Sequence, residues 1–205
     1  MDDEAKDISY NAALERLIAE EAERCNGNSW LHTKAEAYFA IRNSCIALPT
    51  IILSTLVGFL SGSSSSIFVG QPTMSSIGIG CVSLFTGIIS TVGNFYNFAK
   101  LTEGHRIAAI QYAKLSRFLS IELTLPKSER IAAKDVLKIT KDSIERLLET
   151  SPSIPESIIL TYRNEFKERY PDVAHPDITN GLRKVFINSP DIHPEMDEKS
   201  FAACS

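Results

Sequence analysis

The chain has no ionisable side chain over a long central stretch. From Asn43 to Ala99 the sequence contains no Asp, Glu, Lys, Arg or His. All 21 Lys and Arg residues and all 25 Asp and Glu residues lie outside this stretch. The formal net charge of −4 therefore comes entirely from the regions before and after it. A soluble domain is not expected to leave so long a stretch uncharged. The lack of a basic surplus argues against a dedicated nucleic-acid-binding protein, and no nucleic acid is expected as a partner.

Common motifs of catalysis and metal binding are also missing. The 4 cysteines form no CxxC pair and have no histidine at ligand spacing, which argues against a disulfide framework and a metal site. The sequence has no phosphate-binding loop, no HExxH motif and no Ser-His-Asp constellation. Its opening residues are acidic, unlike those of a cleavable signal peptide. We therefore expect a protein that is not an enzyme and that uses neither a cofactor nor a metal.

Two apolar segments fill the uncharged stretch. Residues 44–61 and 75–99 are each long enough, at about 1.5 Å per helical residue, to cross a hydrocarbon core of about 30 Å. A connection rich in Ser, Gly and Pro lies between them. The pattern predicts an all-α integral membrane protein whose two spans form a helical hairpin. The alternative is a buried hairpin in a soluble bundle, whose helices are expected to carry a polar stripe that neither segment shows.

Charged helices are predicted on both sides of the hairpin. Lys34 and Arg42 precede the first span, Lys100 and Arg106 follow the second, and the connection between the spans has no charge. The positive-inside rule then places both termini in the cytosol. Four regions are predicted: an N-terminal cytosolic helix (1–28), the two-span hairpin with helical extensions (29–121), a cytosolic helical region (122–170) and an extended tail (171–205).

Local signals predict three details of these regions. Asn26-Gly27-Asn28 is expected to break the N-terminal helix, because Gly and Asn favour turns. The second span is expected to continue as one helix to about Ser120, because an apolar stripe persists after the charges begin. From Pro171 onwards, prolines and weak periodicity predict an extended tail that contacts protein partners.

Small residues recur at four-residue spacing in both spans, a pattern that lets helix backbones approach closely. The residues concerned are Thr50, Ser54 and Gly58 in the first span and Ser83, Gly87 and Thr91 in the second. The pattern fits pairing of the two spans within one chain and also pairing between subunits of a homo-oligomer. We expect the contact within the chain to dominate.

Polar and aromatic residues mark the predicted cytosolic edge of the spans. Asn43, Asn94 and Asn97 are interpreted as polar anchors within an interfacial aromatic belt. The alternative is a polar constriction in an oligomeric pore. His32 and His105 flank the two spans on the same side and could approach each other across the hairpin, although further metal ligands are lacking.

The order of these segments resembles a known family. The run WLHTKAEAYFAIRN (30–43) leads into CIALPTIILSTLVGFL (45–60), and GNFYNFAKLTEGHRIAA (93–109) leads from the second span into a long helix. Over about residues 12–150 this arrangement resembles the SLATT group of two-span proteins, most closely at Asn43 and from Pro49 to Thr55. The resemblance implies a helical membrane protein with no catalytic residues.

The resemblance also bears on function. Bacterial SLATT proteins accompany nucleotide-sensing modules and are thought to act as pore-forming effectors, and stand-alone relatives occur in large DNA viruses and in fungi. Two functions are therefore expected. The first is a structural anchor that links the lipid bilayer to capsid or scaffold proteins, as a minor capsid component at a viral inner membrane. The second is an oligomeric pore whose lumen lies near the three asparagines and the small-residue face of the second span.

Overall fold

The computed structural model describes residues 9–67 and 72–181 of the chain, and within these ranges all regular secondary structure is helical. The elements are α1 (Ala12–Ile67), α2 (Pro72–Tyr96), α3 (Phe98–Thr124), α4 (Ala133–Thr150), α5 (Glu156–Tyr162), a π-helical turn that follows α5 directly (Arg163–Lys167), and α6 (Asp177–Asn180). The predicted all-α class is confirmed. Two helical stretches, Ala12–Ser63 and Ser76–Thr124, contain windows long and apolar enough to cross a membrane.

The longest element, α1, combines charged and apolar sequence in one helix. It has 56 residues, which corresponds to a length of about 84 Å at about 1.5 Å per residue. Its first part and α3 to α6 form the helical bundle (residues 12–42 and 98–181). Its second part and α2 form the apolar hairpin (residues 44–67 and 72–96).

The bundle core lies between α1 and α3, and α4 closes it. Apolar side chains spaced three to four residues apart bring one face of each helix inward. The buried members are Ile18, Ala22, Cys25, Ala108, Tyr112, Leu115, Leu119, Val136 and Leu147. Two hydroxyls tie the helices across this contact: Ser116 Oγ donates to the Ala22 carbonyl at 2.8 Å, and Ser29 Oγ donates to the Ala109 carbonyl at 2.9 Å.

Arg130 organises the turn between α3 and α4. Its guanidinium donates to the carbonyls of Leu123 and Leu125 at 2.9 and 2.8 Å, which satisfies acceptors that the helix end leaves open. It also donates to Glu15 Oε1 at 2.6 Å, and this hydrogen bond lowers the pKa of the Glu15 carboxyl. One side chain therefore ties the end of α3 to the start of α1.

The expected helix break at Asn26-Gly27-Asn28 is wrong, because α1 runs through these residues. Gly27 is instead a point of close approach. A Cβ atom there would lie 2.6 Å from Pro176 Cδ and 2.8 Å from the Tyr162 hydroxyl. The glycine lets the chain after α5 pack directly on the α1 backbone.

The first part of the predicted extended tail is packed. In residues 171–181, the Ala174 amide donates to Glu23 Oε2 at 2.7 Å, and His175 and Thr179 are buried. A second apolar cluster lies beside this segment and joins Leu31 and Ala35 of α1 to Ile158 and Tyr162 of α5. Residues 182–205, the rest of the predicted tail, lie outside the described residues.

The second helical stretch is interrupted where one continuous helix was expected. Asn97 separates α2 from α3 and has φ 48° and ψ 46°, in the left-handed region. Asparagine is among the few residues other than glycine that adopt this conformation readily. The Asn97 carbonyl accepts hydrogen bonds from the amides of Lys100 and Leu101, so α3 begins immediately after the break.

The connection between the spans is shorter than expected. The Ser-rich sequence after residue 60 continues α1 as far as Ile67, and α2 begins at Pro72. Serine costs only about 0.5 kcal/mol and glycine about 1 kcal/mol relative to alanine in a helix, so neither residue type breaks a helix as proline does. Residues 68–71, between the two helices, lie outside the described residues.

Gly27→Ala is expected to destabilise the protein by about 1 kcal/mol, because an overpacking cost of about 1–3 kcal/mol exceeds a helix-propensity gain of about 1 kcal/mol. Thermal unfolding measures this change, and faster tryptic cleavage at Lys167 is expected to report loosened packing on α1. The matched control is Gly58→Ala, since a Cβ at Gly58 meets nothing within 4 Å. Equal behaviour of the two variants would contradict the assigned role of Gly27.

Candidate functional site

The junction between the bundle and the apolar hairpin gathers aromatic, histidine and asparagine side chains. Phe39 of α1 stacks on His105 of α3, with ring centroids 5.3 Å apart, and on Phe98 at 6.2 Å. The Arg42 guanidinium lies 3.6 Å from the centroid of the Tyr38 ring. Phe39 and Phe98, two of the aromatic residues at the edge of the spans, thus form contacts between α1 and α3, whereas Phe95 is exposed.

His32 and His105 form a buried hydrogen-bonded pair, which we call the histidine pair. Their Nδ1 atoms are 2.9 Å apart, and the two side chains are 2% and 0% exposed. Tyr112 stacks on His32 with ring centroids 5.5 Å apart, and Phe39 covers His105. The predicted approach of the two histidines is confirmed.

The surroundings favour one tautomer of the histidine pair. One Nδ1 atom must carry the shared proton, and His105 Nε2 is buried without a hydrogen-bond partner. If His105 donates from Nδ1, its Nε2 is an unpaired acceptor; if His32 donates, His105 Nε2 becomes a buried unpaired N–H. Orphaned buried N–H groups are the rarer case, so we assign the Nδ1 proton to His105.

Burial keeps both imidazoles neutral. It lowers the pKa of His32 to about 4, with a further contribution from His105, and it lowers the pKa of His105 as well. Two titratable groups of the same core are uncharged too, because burial raises the pKa of the Cys25 thiol to about 12 and also raises the pKa of Tyr112, which stacks on His32.

The three predicted interface asparagines come together. Asn43 of α1, Asn94 of α2 and Asn97 line one cleft of about 410 Å³, which we call the polar cleft. Thr50 and Ser90 extend its lining away from the bundle. The base of the hairpin is closely packed beside it, since a Cβ at Gly93 would lie 2.8 Å from Ile46 Cγ2.

The small residues predicted to pack the spans are divided. Thr50 lines the polar cleft, whereas Ser54, Gly58, Ser83, Gly87 and Thr91 are exposed, and a Cβ at Gly58 or Gly87 would meet nothing within 4 Å. The expected packing within the chain is therefore wrong at these positions. Ser83, Gly87 and Thr91 line an open groove on α2, and their packing against a second chain stays a prediction.

A different face of α2 turns toward α1. Thr86 is buried, Ser90 is half-buried and Gly93 approaches Ile46 closely, at spacings of four and three residues. Sequence reasoning missed this face. The available signal was the same kind of small-residue spacing, which occurs on both faces of α2 and so did not distinguish them.

Cys25, Cys45 and Cys81 are free thiols. Within residues 9–67 and 72–181, no group of three or more His, Cys, Asp or Glu side chains is arranged to hold a metal ion. Comparison with protein-family models, curated proteins and solved structures finds no match to the chain. The functional argument therefore uses the geometry of the junction and the hairpin.

The histidine pair predicts a specific pH dependence. Unfolded histidines, with a pKa of 6.5, bind protons that burial excludes from folded His32 down to about pH 4, and burial lowers the pKa of His105 in the same direction. Stability is therefore expected to fall as the pH decreases from 6.5 towards 4, by about 3 kcal/mol from His32 alone at about 1.4 kcal/mol per pKa unit.

Urea unfolding of His32→Leu, His105→Leu and the double variant checks this prediction. At pH 7.5 each single variant is expected to lose about 1–3 kcal/mol, because the remaining imidazole loses its partner, while the double variant recovers much of this loss. The free energy of unfolding of the double variant at each pH is subtracted from that of the unaltered protein. The difference removes the contribution of the carboxylates, which both proteins share. An unchanged slope between pH 6.5 and 4 in the double variant would count against the neutral pair.

Proposed function

We propose that this protein is a non-enzymatic two-pass membrane protein that anchors a cytosolic protein layer to a lipid bilayer. One observation carries the proposal: α1 passes without interruption from the charged bundle into a hairpin whose apolar side chains point outward. A continuous helix of this kind connects a membrane anchor directly to a soluble body, and it stays helical through Pro49, which lacks the backbone amide for one helical hydrogen bond.

The outward apolar surface of the hairpin favours lipid as its surroundings. Leu84 is 70% exposed and Phe59 is 64% exposed, and the two apolar windows are only 0% and 6% buried within the chain. The soluble alternative needs these side chains to be buried inside the protein. The helical form also suits a bilayer, because each helix satisfies its backbone hydrogen bonds internally.

The bundle supports the anchoring role on the other side. Its surface carries basic and acidic side chains that form ion pairs, such as Arg106 with Glu103 and Lys141 with Glu145, as expected for a solvated helical body. Both ends of the hairpin lead into this body, which agrees with two termini on the cytosolic side. Protein partners bind this surface and the tail, and a capsid shell over a viral inner membrane is the form of layer that the SLATT resemblance suggests.

Membrane insertion is tested by placing a charge on the hairpin. Leu84→Arg is expected to reduce the inserted fraction strongly, because arginine costs about 2.5–3.5 kcal/mol at the centre of a span. Leu148→Arg on α4 is the matched control, since Leu148 is 69% exposed and Leu84 is 70% exposed. Resistance of the membrane pool to carbonate extraction is measured for both variants.

The result distinguishes a hairpin that is inserted in the membrane from one that is not. Loss of the carbonate-resistant pool in Leu84→Arg alone is the expected outcome. Equal behaviour of the two arginine variants, or extraction of the unaltered protein by carbonate, would contradict the membrane anchor.

A second candidate function is an oligomeric pore of the SLATT type. The observation that favours it is the open groove lined by Ser83, Gly87 and Thr91, a small-residue face that α1 does not cover. A second copy of α2 in this groove would build an oligomer with polar groups between the helices. No charged residue occurs in the hairpin to set ion selectivity.

Conductance separates the anchor from the pore. As an anchor, the inserted protein is expected to leave planar bilayers non-conducting at every protein density. If it is a pore, the protein conducts as a closed oligomer, and Gly87→Leu, which fills the groove, abolishes the current while insertion is retained. Recording both on the same purified sample, with its oligomeric mass, decides between the two functions.

A further inference from the structure

The polar cleft places unpaired amides at the edge of the apolar hairpin. Among the residues that the structure describes, the side chains of Asn43, Asn94 and Asn97 make no hydrogen bond to one another or to other groups. A primary amide offers two donors and an acceptor, and an unpaired amide is costly next to hydrocarbon. These three amides therefore need partners from outside the chain.

The cleft lies at the depth of a phospholipid headgroup and its ester linkages, if the hairpin is inserted as proposed. Charged residues occur immediately before and after the uncharged stretch in sequence: Arg42 precedes the cleft residue Asn43, and Lys100 follows the cleft residue Ala99. Ile51, the last cleft-lining residue along α1, lies about 14 Å beyond Arg42 along the helix, at about 1.5 Å per residue.

The lining also changes character with depth in the way that a phospholipid does. The outer part carries the three amides, and no carboxylate occurs between Asn43 and Ala99. Ile46 and Ile51 provide an apolar wall further in. The hydroxyl of Thr50 is already used, since it donates to the Ile46 carbonyl at 2.8 Å.

We propose that the polar cleft binds one phospholipid, with the glycerophosphate headgroup at the asparagine amides and an acyl chain along the apolar wall. Amide N–H groups donate to the phosphate and ester oxygens, and a hydrogen bond to the charged phosphate is stronger than one to a neutral acceptor. The cleft volume of about 410 Å³ lies in the range of ligand pockets and suits a headgroup with the start of its chains. This inference rests on the proposed membrane insertion.

The test uses Asn43→Leu/Asn94→Leu. Leucine has the same number and branching of side-chain heavy atoms as asparagine, suits the apolar hairpin and cannot donate to a headgroup. Asn97 is left unchanged because its φ of 48° makes substitution strained. The matched control is Thr55→Leu/Cys81→Leu, which adds the same apolar groups at exposed positions of α1 and α2 outside the cleft.

Native mass spectrometry of the full chain, released from vesicles of phosphatidylglycerol and phosphatidylcholine, counts the retained lipids. We expect one tightly held phospholipid on the unaltered protein and on the control. Its retention should fall about tenfold or more in Asn43→Leu/Asn94→Leu, as for the loss of two hydrogen bonds. Diacylglycerol lacks the phosphate. The unaltered protein should therefore retain diacylglycerol as weakly as Asn43→Leu/Asn94→Leu retains the phospholipid.

Three outcomes would overturn the proposal. Equal retention in the asparagine and control variants would mean that only bulk bilayer lipid adheres to the hairpin. Equal retention of diacylglycerol would mean that the phosphate is not recognised, and displacement of the lipid by soluble glycerol phosphate would mean that the site takes a free anion. Carbonate extraction of the same samples separates these failures from a failure of membrane insertion.

Discussion

The continuity of α1 across the boundary between charged and apolar sequence is the constraint on which the rest of the structure depends. Helices α3 and α5 pack along its first part and α2 along its second, so one helix axis relates the bundle to the hairpin. Small side chains make this possible. Ala22 and Ala108 lie in the core between α1 and α3, and Gly27 admits Pro176 to the α1 backbone. Lengthening any of these side chains would move the attached element along or away from α1.

The polar groups of the junction lie in two opposite environments, one buried and one open. The histidine pair is buried, covered by aromatic rings and joined by one internal hydrogen bond, and His105 Nε2 has no partner. The polar cleft is open, and its amides are left for groups outside the chain. A buried hydrogen-bonded pair requires one relative position of its two helices, because sliding α3 along α1 by one turn would leave both imidazoles unpaired. We infer that the histidine pair fixes the register of α3 on α1 and thereby sets the shape of the cleft next to it.

The sequence predicts the elements better than their contacts. The missing charges between Asn43 and Ala99 were enough to predict the apolar hairpin, and the positions of His32 and His105 at similar distances from it were enough to predict their approach. The expected break near Gly27 failed because a glycine signals a turn and a close tertiary contact equally well. The inward face of α2 was missed because both of its faces carry small residues, and only the partner helix distinguishes them. The packing of residues 171–181 depends on Glu23 and Gly27, about 150 residues earlier in the chain, which periodicity does not report.

The two links between bundle and hairpin depart from a regular helix in different ways. In α1 the backbone stays helical through Pro49, which removes one hydrogen bond of the helix and favours a bend there. On the return path Asn97 has left-handed dihedral angles and separates α2 from α3. Pro49 lies about 9 Å beyond Asn43 along α1. A tilt of the bundle against the hairpin would therefore bend one link inside the apolar segment and the other at its edge.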